Sequence, residues 1–238
     1  MTASQSGTFD PARHFDESAA GRYDETIRTV LPGYETLHEN LLGMLETTLP
    51  ENASVLSCGA GTGQEILACA HIAPGWKFVG VDPSEAMLST ASEKIRQAGI
   101  QSRVTLLHGY VGDVMEMDFN AAASILVMQF IPDDGGKRDY LAAIAKRLKL
   151  GGIIVLCDLT GDNDDPETKR LLNEWRSKLS ERGLDDEKLN AIFSHVESDV
   201  KIVTEDRVLE LLDECGFIDV QRFHQSLLCV GWIARKAD

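Results

Sequence analysis

Positive charge is scarce in this 238-residue chain: 23 Lys and Arg stand against 38 Asp and Glu, a formal net charge of −15. So acidic a surface repels phosphate backbones and gains nothing from counterion release, which argues against nucleic acid and anionic membranes as partners. No run of residues approaches the roughly 18–20 apolar positions that a membrane-spanning helix needs. The polar opening MTASQSGTFDPARHFDES has no apolar core of the kind a secretion signal carries, so the expected location is cytoplasmic. Five cysteines (Cys58, Cys69, Cys157, Cys215, Cys229) make no CxxC pair and no Cys/His cluster at zinc spacing. No metal is therefore expected, and the cysteines within apolar runs read as reduced core residues. Repeats and low-complexity tracts are also missing. What is present is a 43% hydrophobic composition, enough for one good core at this length.

Along the chain, residues 1–13 read as a flexible tail and 14–50 as an N-terminal helical cap, in which Leu37, Leu41, Leu45 and Leu49 recur on one helix face. Apolar segments ASVLSC, KFVGVD, RVTLLHG, SILVMQF and IIVLCDL then alternate with the helical patterns GAGTGQEILACAHIA, DPSEAMLSTASEKIRQAG and GGKRDYLAAIAKRLKL. Such alternation predicts an α/β, Rossmann-like fold: a mostly parallel sheet with helices on both faces. Residues 53–160 would form the cofactor-binding core and 161–203 a small helical insert, a candidate cover for an acceptor. Residues 204–238 would add a helix and two strands, FIDVQRFHQ and SLLCVGWIARK, as an antiparallel edge, all within one domain spanning 1–238.

The segment richest in chemistry is VLSCGAGTG, residues 55–63, which leaves a buried strand and opens a helix. Glycine is needed where backbone turns sharply and approaches a ligand without a Cβ in the way. Asp82 lies 19 residues after Gly63, at the end of the second strand, where an acid can accept both hydroxyls of a ribose. A dinucleotide fingerprint reads G-x-G-x-x-G, its third glycine bringing a helix N-terminus to a pyrophosphate. Here the run is G-x-G-x-G and position 64 is Gln. That spacing favours S-adenosylmethionine, which has no phosphate, over a nicotinamide dinucleotide.

VLSCGAGTG resembles the first motif of class I S-adenosylmethionine-dependent methyltransferases, usually written VLDLGCGTG, and FVGVDPSEAML resembles their second. The resemblance implies a seven-stranded sheet with an antiparallel last strand, S-adenosylmethionine as cofactor, and methyl transfer. It also implies that Gly59, Ala60 and Gly61 lie against the methionine part, that Asp82 holds the ribose, and that Pro83 and Met87 flank the adenine. FDESAAGRYDETIRTVLPGY, the helical insert and FHQSLLCVGWIARKAD are similar to the carboxy-S-adenosylmethionine synthase family, a tRNA-modification branch of this fold. That likeness implies that Tyr34 lies by the cofactor.

Three departures stand out. Ser57 replaces the acid of the first motif; Gly109-Tyr110-Val111 replaces a Gly-Asp-Ile, with Asp113 nearby in another register; and Leu211 stands where the synthase branch has a carboxylate-gripping arginine, Arg207 being one helical turn away. Ser57, Tyr110 and Val111 remain cofactor-binding positions, whereas the missing arginine speaks for ordinary methyl transfer to a small-molecule acceptor. A carboxy-S-adenosylmethionine synthase-like enzyme and a non-catalytic binding protein are the alternatives.

Gln129 follows the fourth apolar segment at the carboxyl edge, where open α/β sheets bind ligands, and is expected to touch cofactor or acceptor. Asp133 is a candidate proton acceptor, or a solvated turn residue. His195 is a candidate general base if the insert covers the acceptor. His108 is placed to fill the adenine side, and Trp175 and Phe193 either pack the insert or line a pocket. A homodimer is compatible with the chain.

Overall fold

In the computed structural model, which describes residues 10–237, seven strands form one sheet. They are β1 (Ser54–Cys58), β2 (Lys77–Asp82), β3 (Val104–His108), β4 (Phe119–Ile125), β5 (Leu148–Leu159), β6 (Phe217–Ser226) and β7 (Cys229–Lys236). Their order is β3-β2-β1-β4-β5-β7-β6. β1 runs parallel to β2 and β4, β2 to β3 and β4 to β5, while β7 is antiparallel to both β5 and β6. The order reverses at β1, so the crevice between the β1 and β4 carboxyl ends is where a ligand has room to enter.

Ten helices are described: α1 (Pro11–His14), α2 (Glu17–Ala20), α3 (Tyr23–Val30), α4 (Tyr34–Thr48), α5 (Gln64–Ile72), α6 (Glu85–Gln97), α7 (Gly136–Arg147), α8 (Pro166–Glu181), α9 (Asp186–Ser198) and α10 (Glu205–Glu214). Leu37, Leu41 and Leu45 of α4 are fully buried, each contributing about 1.5–3 kcal/mol of apolar burial. Leu49, the C-cap of that helix, is partly buried and packs against the same core as Leu41 and Leu45. The helices of the 161–203 stretch begin on side-chain caps, Asp165 for α8 (with Pro166 in its first turn) and Asp185 for α9. α8 is tied to the N-terminal helices by the Trp175 indole, which donates to the Val30 carbonyl at 2.7 Å. Trp175 meets Phe193 edge to face at 5.4 Å.

Two expectations need correction, the fourth strand and the tail. The fourth strand is not 124–130 but Phe119–Ile125; the chain then turns at Leu126 (φ 59) and forms a 3-10 turn over Met128–Phe130. Its alanines Ala121, Ala122 and Ala123, buried on both faces, gave no strong hydrophobic signal, whereas Leu126 and Met128 are apolar because they wall cavities and core. The C-terminal pair forms the antiparallel edge expected of it, with β7 on the inside against β5 and β6 outermost. Burial explains this, since β7 is mostly buried and β6 mostly exposed. Of the expected flexible tail, residues 1–9 lie outside the described residues, and Pro11–His14 is a helical turn.

Candidate functional site

β1 ends at Cys58 and the chain turns through three glycines with positive φ: Gly59 (+72°), Gly61 (+51°) and Gly63 (+80°). Backbone N–H groups zip this turn to the end of β2: Gly59 and Ala60 both donate to the Val81 carbonyl (2.8 and 3.0 Å), and Gly61 donates to Asp82 Oδ2 (2.8 Å). The glycines differ in what surrounds them. A Cβ on Gly59 would sit 2.5 Å from Val127 Cγ2, and one on Gly63 would sit 3.2 Å from Ala91 Cβ on α6; one on Gly61 would meet nothing within 4 Å.

Asp82 is buried at the tip of β2, its Oδ1 accepting the Ser84 N–H at 2.8 Å. Burial pushes its carboxyl above the usual range against the pull of the Ser84 and Gly61 N–H groups. Each carboxylate oxygen still has a lone pair beyond the one spent on the backbone. Thr62 Oγ1 donates to Asp24 of α3, which also pairs with Lys94 of α6, so the N-terminal helices are pinned to the glycine turn.

Three adjoining spaces open at this edge. The largest, about 510 Å³, is lined by Gly59, Gly61, Asp82, Pro83, Met87, Tyr110 and Val111 on the sheet side. Pro11, Phe15 and Tyr23 roof it. A small recess holds Tyr34, Ala60, Thr62 and Glu65. A chamber of about 330 Å³ lies between the N-terminal helices and α8–α9, with Gln129 and His195 on its wall. Phe15, Tyr23, Leu126 and Phe130 line both large spaces, and Tyr23 and Leu126 reach the recess as well.

The sequence-predicted residues therefore divide. Gly59, Gly61, Asp82, Pro83, Met87, Tyr110 and Val111 surround the large cavity; Tyr34 and Ala60 fall in the recess. Ser57 is buried mid-strand, opposite Gly80 and Ala123, and lines none of the three spaces. Gln129 is a clamp as much as a wall: its N–H donates to Asp158 Oδ1 (3.1 Å) and its Oε1 accepts the Leu159 N–H (3.0 Å). Asp133 lines none of the spaces. It is bound by the Arg207 guanidinium (2.9 Å), which holds its carboxyl below the usual range. Asp113 caps the local turn by accepting the Tyr110 N–H at 2.8 Å, and His108 bonds the Pro83 carbonyl at 2.9 Å.

Sequence reasoning passed over Tyr23, Leu126 and His14. Tyr23 lines all three spaces, and burial followed by the nearby Glu65, Asp24 and Asp82 carboxylates raises its phenol pKa, keeping it protonated. Leu126 holds a left-handed backbone that costs a branched residue free energy, as positions at ligand sites often do. No local signal in the sequence marked it. His14 stacks on His195, ring centroids 4.4 Å apart and planes 12° from parallel. His195 Nδ1 in turn bonds Asp199 Oδ2 at 2.7 Å. These three side chains are the one group of His, Cys, Asp or Glu among the described residues whose donor atoms all lie within 4.8 Å of one another.

Residues 55–152 match a protein family described as a methyltransferase domain. Over 228 residues the chain is 24% identical to a carboxy-S-adenosyl-L-methionine synthase of Alteromonas mediterranea, covering 94% of this chain and 92% of that protein. Among solved structures it resembles the 1,6-didemethyltoxoflavin-N1-methyltransferase of Burkholderia thailandensis, which holds 1,6-didemethyltoxoflavin and S-adenosylhomocysteine. The TM-score is 0.60 at 19% identity, over 98% of this chain and 92% of that one. Human N-acetylserotonin methyltransferase in complex with S-adenosylmethionine gives a TM-score of 0.63 at 16% identity, over 94% of this chain and 58% of that one.

Proposed function

We propose that this chain, a methyltransferase domain in a class I S-adenosylmethionine-dependent methyltransferase fold, transfers the methyl group of ordinary S-adenosylmethionine to a small molecule seated in the chamber between the N-terminal helices and α8–α9. The observation that carries this is the junction of two spaces. A cavity built on the glycine turn and Asp82 shares Phe15, Tyr23, Leu126 and Phe130 with an apolar chamber large enough for a small ligand.

The residues present fit the cofactor. Asp82 keeps two lone pairs for ribose hydroxyls, Gly61 leaves open space where the chain of the ligand would pass, and Pro83 and Met87 offer an apolar face beyond. When bound, the cofactor supplies a methyl group on a sulfonium, already a good electrophile. The protein's task is to hold the acceptor in line and keep water away. Phe15, Tyr23, Leu126 and Phe130, shared by both spaces, form that dividing wall. The net charge of −15 speaks against a nucleic-acid acceptor. The free state of all five cysteines accords with a reducing, cytoplasmic setting.

The similarity to carboxy-S-adenosylmethionine synthases favours a second reading, in which the cofactor carries an extra carboxylate. Against it, Leu211 is fully buried in the core with Val208, Leu212 and Phe217. Arg207 is spent on Asp133, Glu210 and Glu214. An added carboxylate with no cation to meet it would be costly to bury. Mass spectrometry of the ligand carried through purification, then incubation with prephenate, separates the two. S-adenosylmethionine or S-adenosylhomocysteine alone, with no carboxylated product, is expected; co-purified carboxy-S-adenosylmethionine, or its formation from prephenate, would overturn the methyltransferase reading.

A further inference from the structure

The chamber is apolar along most of its wall, where Ile27, Leu31, Leu159, Trp175, Ile192 and Val196 meet, and its polar groups are few. Arg22, the cation on its lining, is turned back onto Ser18, its Nε donating to the Ser18 carbonyl and its Nη2 to the hydroxyl (3.2 and 3.0 Å). Beside Tyr23, Thr26 and Gln129, the chamber presents the stacked pair His14 and His195, with Asp199 bonded behind His195. Asp199 is an acceptor only, so its 2.7 Å contact fixes the proton of His195 on Nδ1 and leaves Nε2 with a lone pair. His195 stands one ring from the cofactor cavity: its centroid is 5.9 Å from that of Phe130, which lines both spaces.

We propose that His195, oriented by Asp199 and backed by His14, is the catalytic base of this site, and that the acceptor is a ring-sized apolar molecule bearing a phenolic or enolic hydroxyl. This rests on the methyltransferase reading above. The acceptor class follows from the chemistry of the base. Base catalysis is most effective when the acid and base are closest in strength; phenolic and enolic hydroxyls come nearer to an imidazole than alkyl alcohols do, and a neutral amine needs no base to attack. The apolar wall suits the ring.

In the reaction the O–H bond breaks and its proton goes to His195 Nε2, giving an imidazolium paired with the Asp199 carboxylate. The oxygen then bonds the methyl carbon as the carbon–sulfur bond breaks, and the bonding pair stays on sulfur. The products are the methyl ether and S-adenosylhomocysteine, and the proton passes to solvent from His195, whose side chain is 30% exposed.

The same three residues present a donor set that a metal ion accepts. The observed geometry favours proton handling instead. Imidazole lone pairs lie in the ring planes, so rings 12° from parallel direct theirs side by side rather than to one point, and Nδ1 of His195 is already engaged.

The test needs no cofactor turnover. 4-Nitrophenol, whose phenolate absorbs in the visible, is titrated with the 238-residue protein that has been dialysed against EDTA, and binding is followed separately by calorimetry. The bound phenol is expected to ionise at lower pH than the free one. His195→Gln and Asp199→Asn are expected to bind it within about threefold of wild type while losing most of that shift. Absence of binding, or equal ionisation in wild type and variants, would overturn the proposal. So would an ionisation shift that vanishes with EDTA and returns with Zn²⁺ or Co²⁺, which would assign the group to a metal. Calorimetry with S-adenosylhomocysteine on the same samples keeps the two readings apart: retained cofactor affinity with no phenol ionisation sinks the base and spares the methyltransferase.

Discussion

Substituting the glycines of the β1–α5 turn one at a time separates fold from ligand at a resolution of one methyl group. Gly61→Ala places an L-residue at φ +51°, which costs about 1–2 kcal/mol. Its Cβ meets no protein atom within 4 Å, so no packing penalty is added. The methyl group enters the space that Gly61 shares between the large cavity and the recess, where the methionine part of the cofactor is proposed to lie. Gly59→Ala pays the same backbone cost and also drives its Cβ to 2.5 Å from Val127 Cγ2. Val127 is β-branched and stiff, so this adds overpacking of about 1–3 kcal/mol.

Urea unfolding of the unliganded variants, with calorimetric titration of S-adenosylhomocysteine, reads both quantities. Gly61→Ala is expected to remain folded with a small stability loss yet bind at least about tenfold more weakly, about 1.4 kcal/mol. Gly59→Ala is expected to be the less stable of the two. Wild-type affinity in a folded Gly61→Ala protein would refute the placement of the cofactor over this residue.

Asp82→Asn keeps the shape but turns one acceptor into a donor, which faces either the Gly61 or the Ser84 N–H. It is expected to lower S-adenosylhomocysteine affinity by about 1.5–3 kcal/mol, the value of hydrogen bonds to a charged group, and unchanged calorimetric affinity would make Asp82 a turn staple only. His38 bonds the Tyr34 carbonyl through Nδ1 (3.0 Å) and Glu65 through Nε2 (2.9 Å), both acceptors, so its protonated form is the satisfied one. Burial works to lower its pKa, but the Glu65 carboxylate outweighs this and the net shift is upward. The contribution of this pair is therefore full below the ordinary histidine pKa of about 6.5 and lost as pH rises through the higher folded value. Thermal unfolding between mildly acidic and mildly basic pH is expected to show His38→Gln with a flatter pH slope than wild type, and equal slopes would rule the pair out as a source of pH dependence.

The parts of the fold legible in the sequence are those whose reason is local. VLSCGAGTG announces a strand, a turn and a helix because each glycine answers to a backbone angle within its own few residues. Asp82 could be placed because β2 ends beside that turn in any parallel sheet of this kind. β4 was displaced in the sequence reading because three alanines, selected for thinness between two faces, carry little hydrophobic weight. The C-terminal pair was legible as an antiparallel edge, but not which of its strands lies outermost, because insertion order is a property of the whole sheet and not of the strand. Ser57 points into the strand stack rather than the cavity, a fact that period-2 alternation fixes only when the face of one neighbour is already known.

The acceptor side was illegible for a different reason: its wall is assembled from segments with no sequence relation to one another. His14 and Tyr23 come from the first helices, Leu126 and Gln129 from the end of β4, and Trp175 and His195 from the two helices between β5 and α10. The indole of Trp175 reaching the Val30 carbonyl joins residues 145 positions apart. The shape of the chamber thus depends on contacts between segments far apart in the sequence. The chain aligns over 94% of its length with a synthase at 24% identity, and it buries an apolar Leu211 in its core. Architecture and cofactor cradle answer to the sheet, and the sheet tolerates few alternatives. On the proposed reading, acceptor chemistry answers to side chains that line the chamber, such as His14 and His195, which can vary while the sheet stays the same.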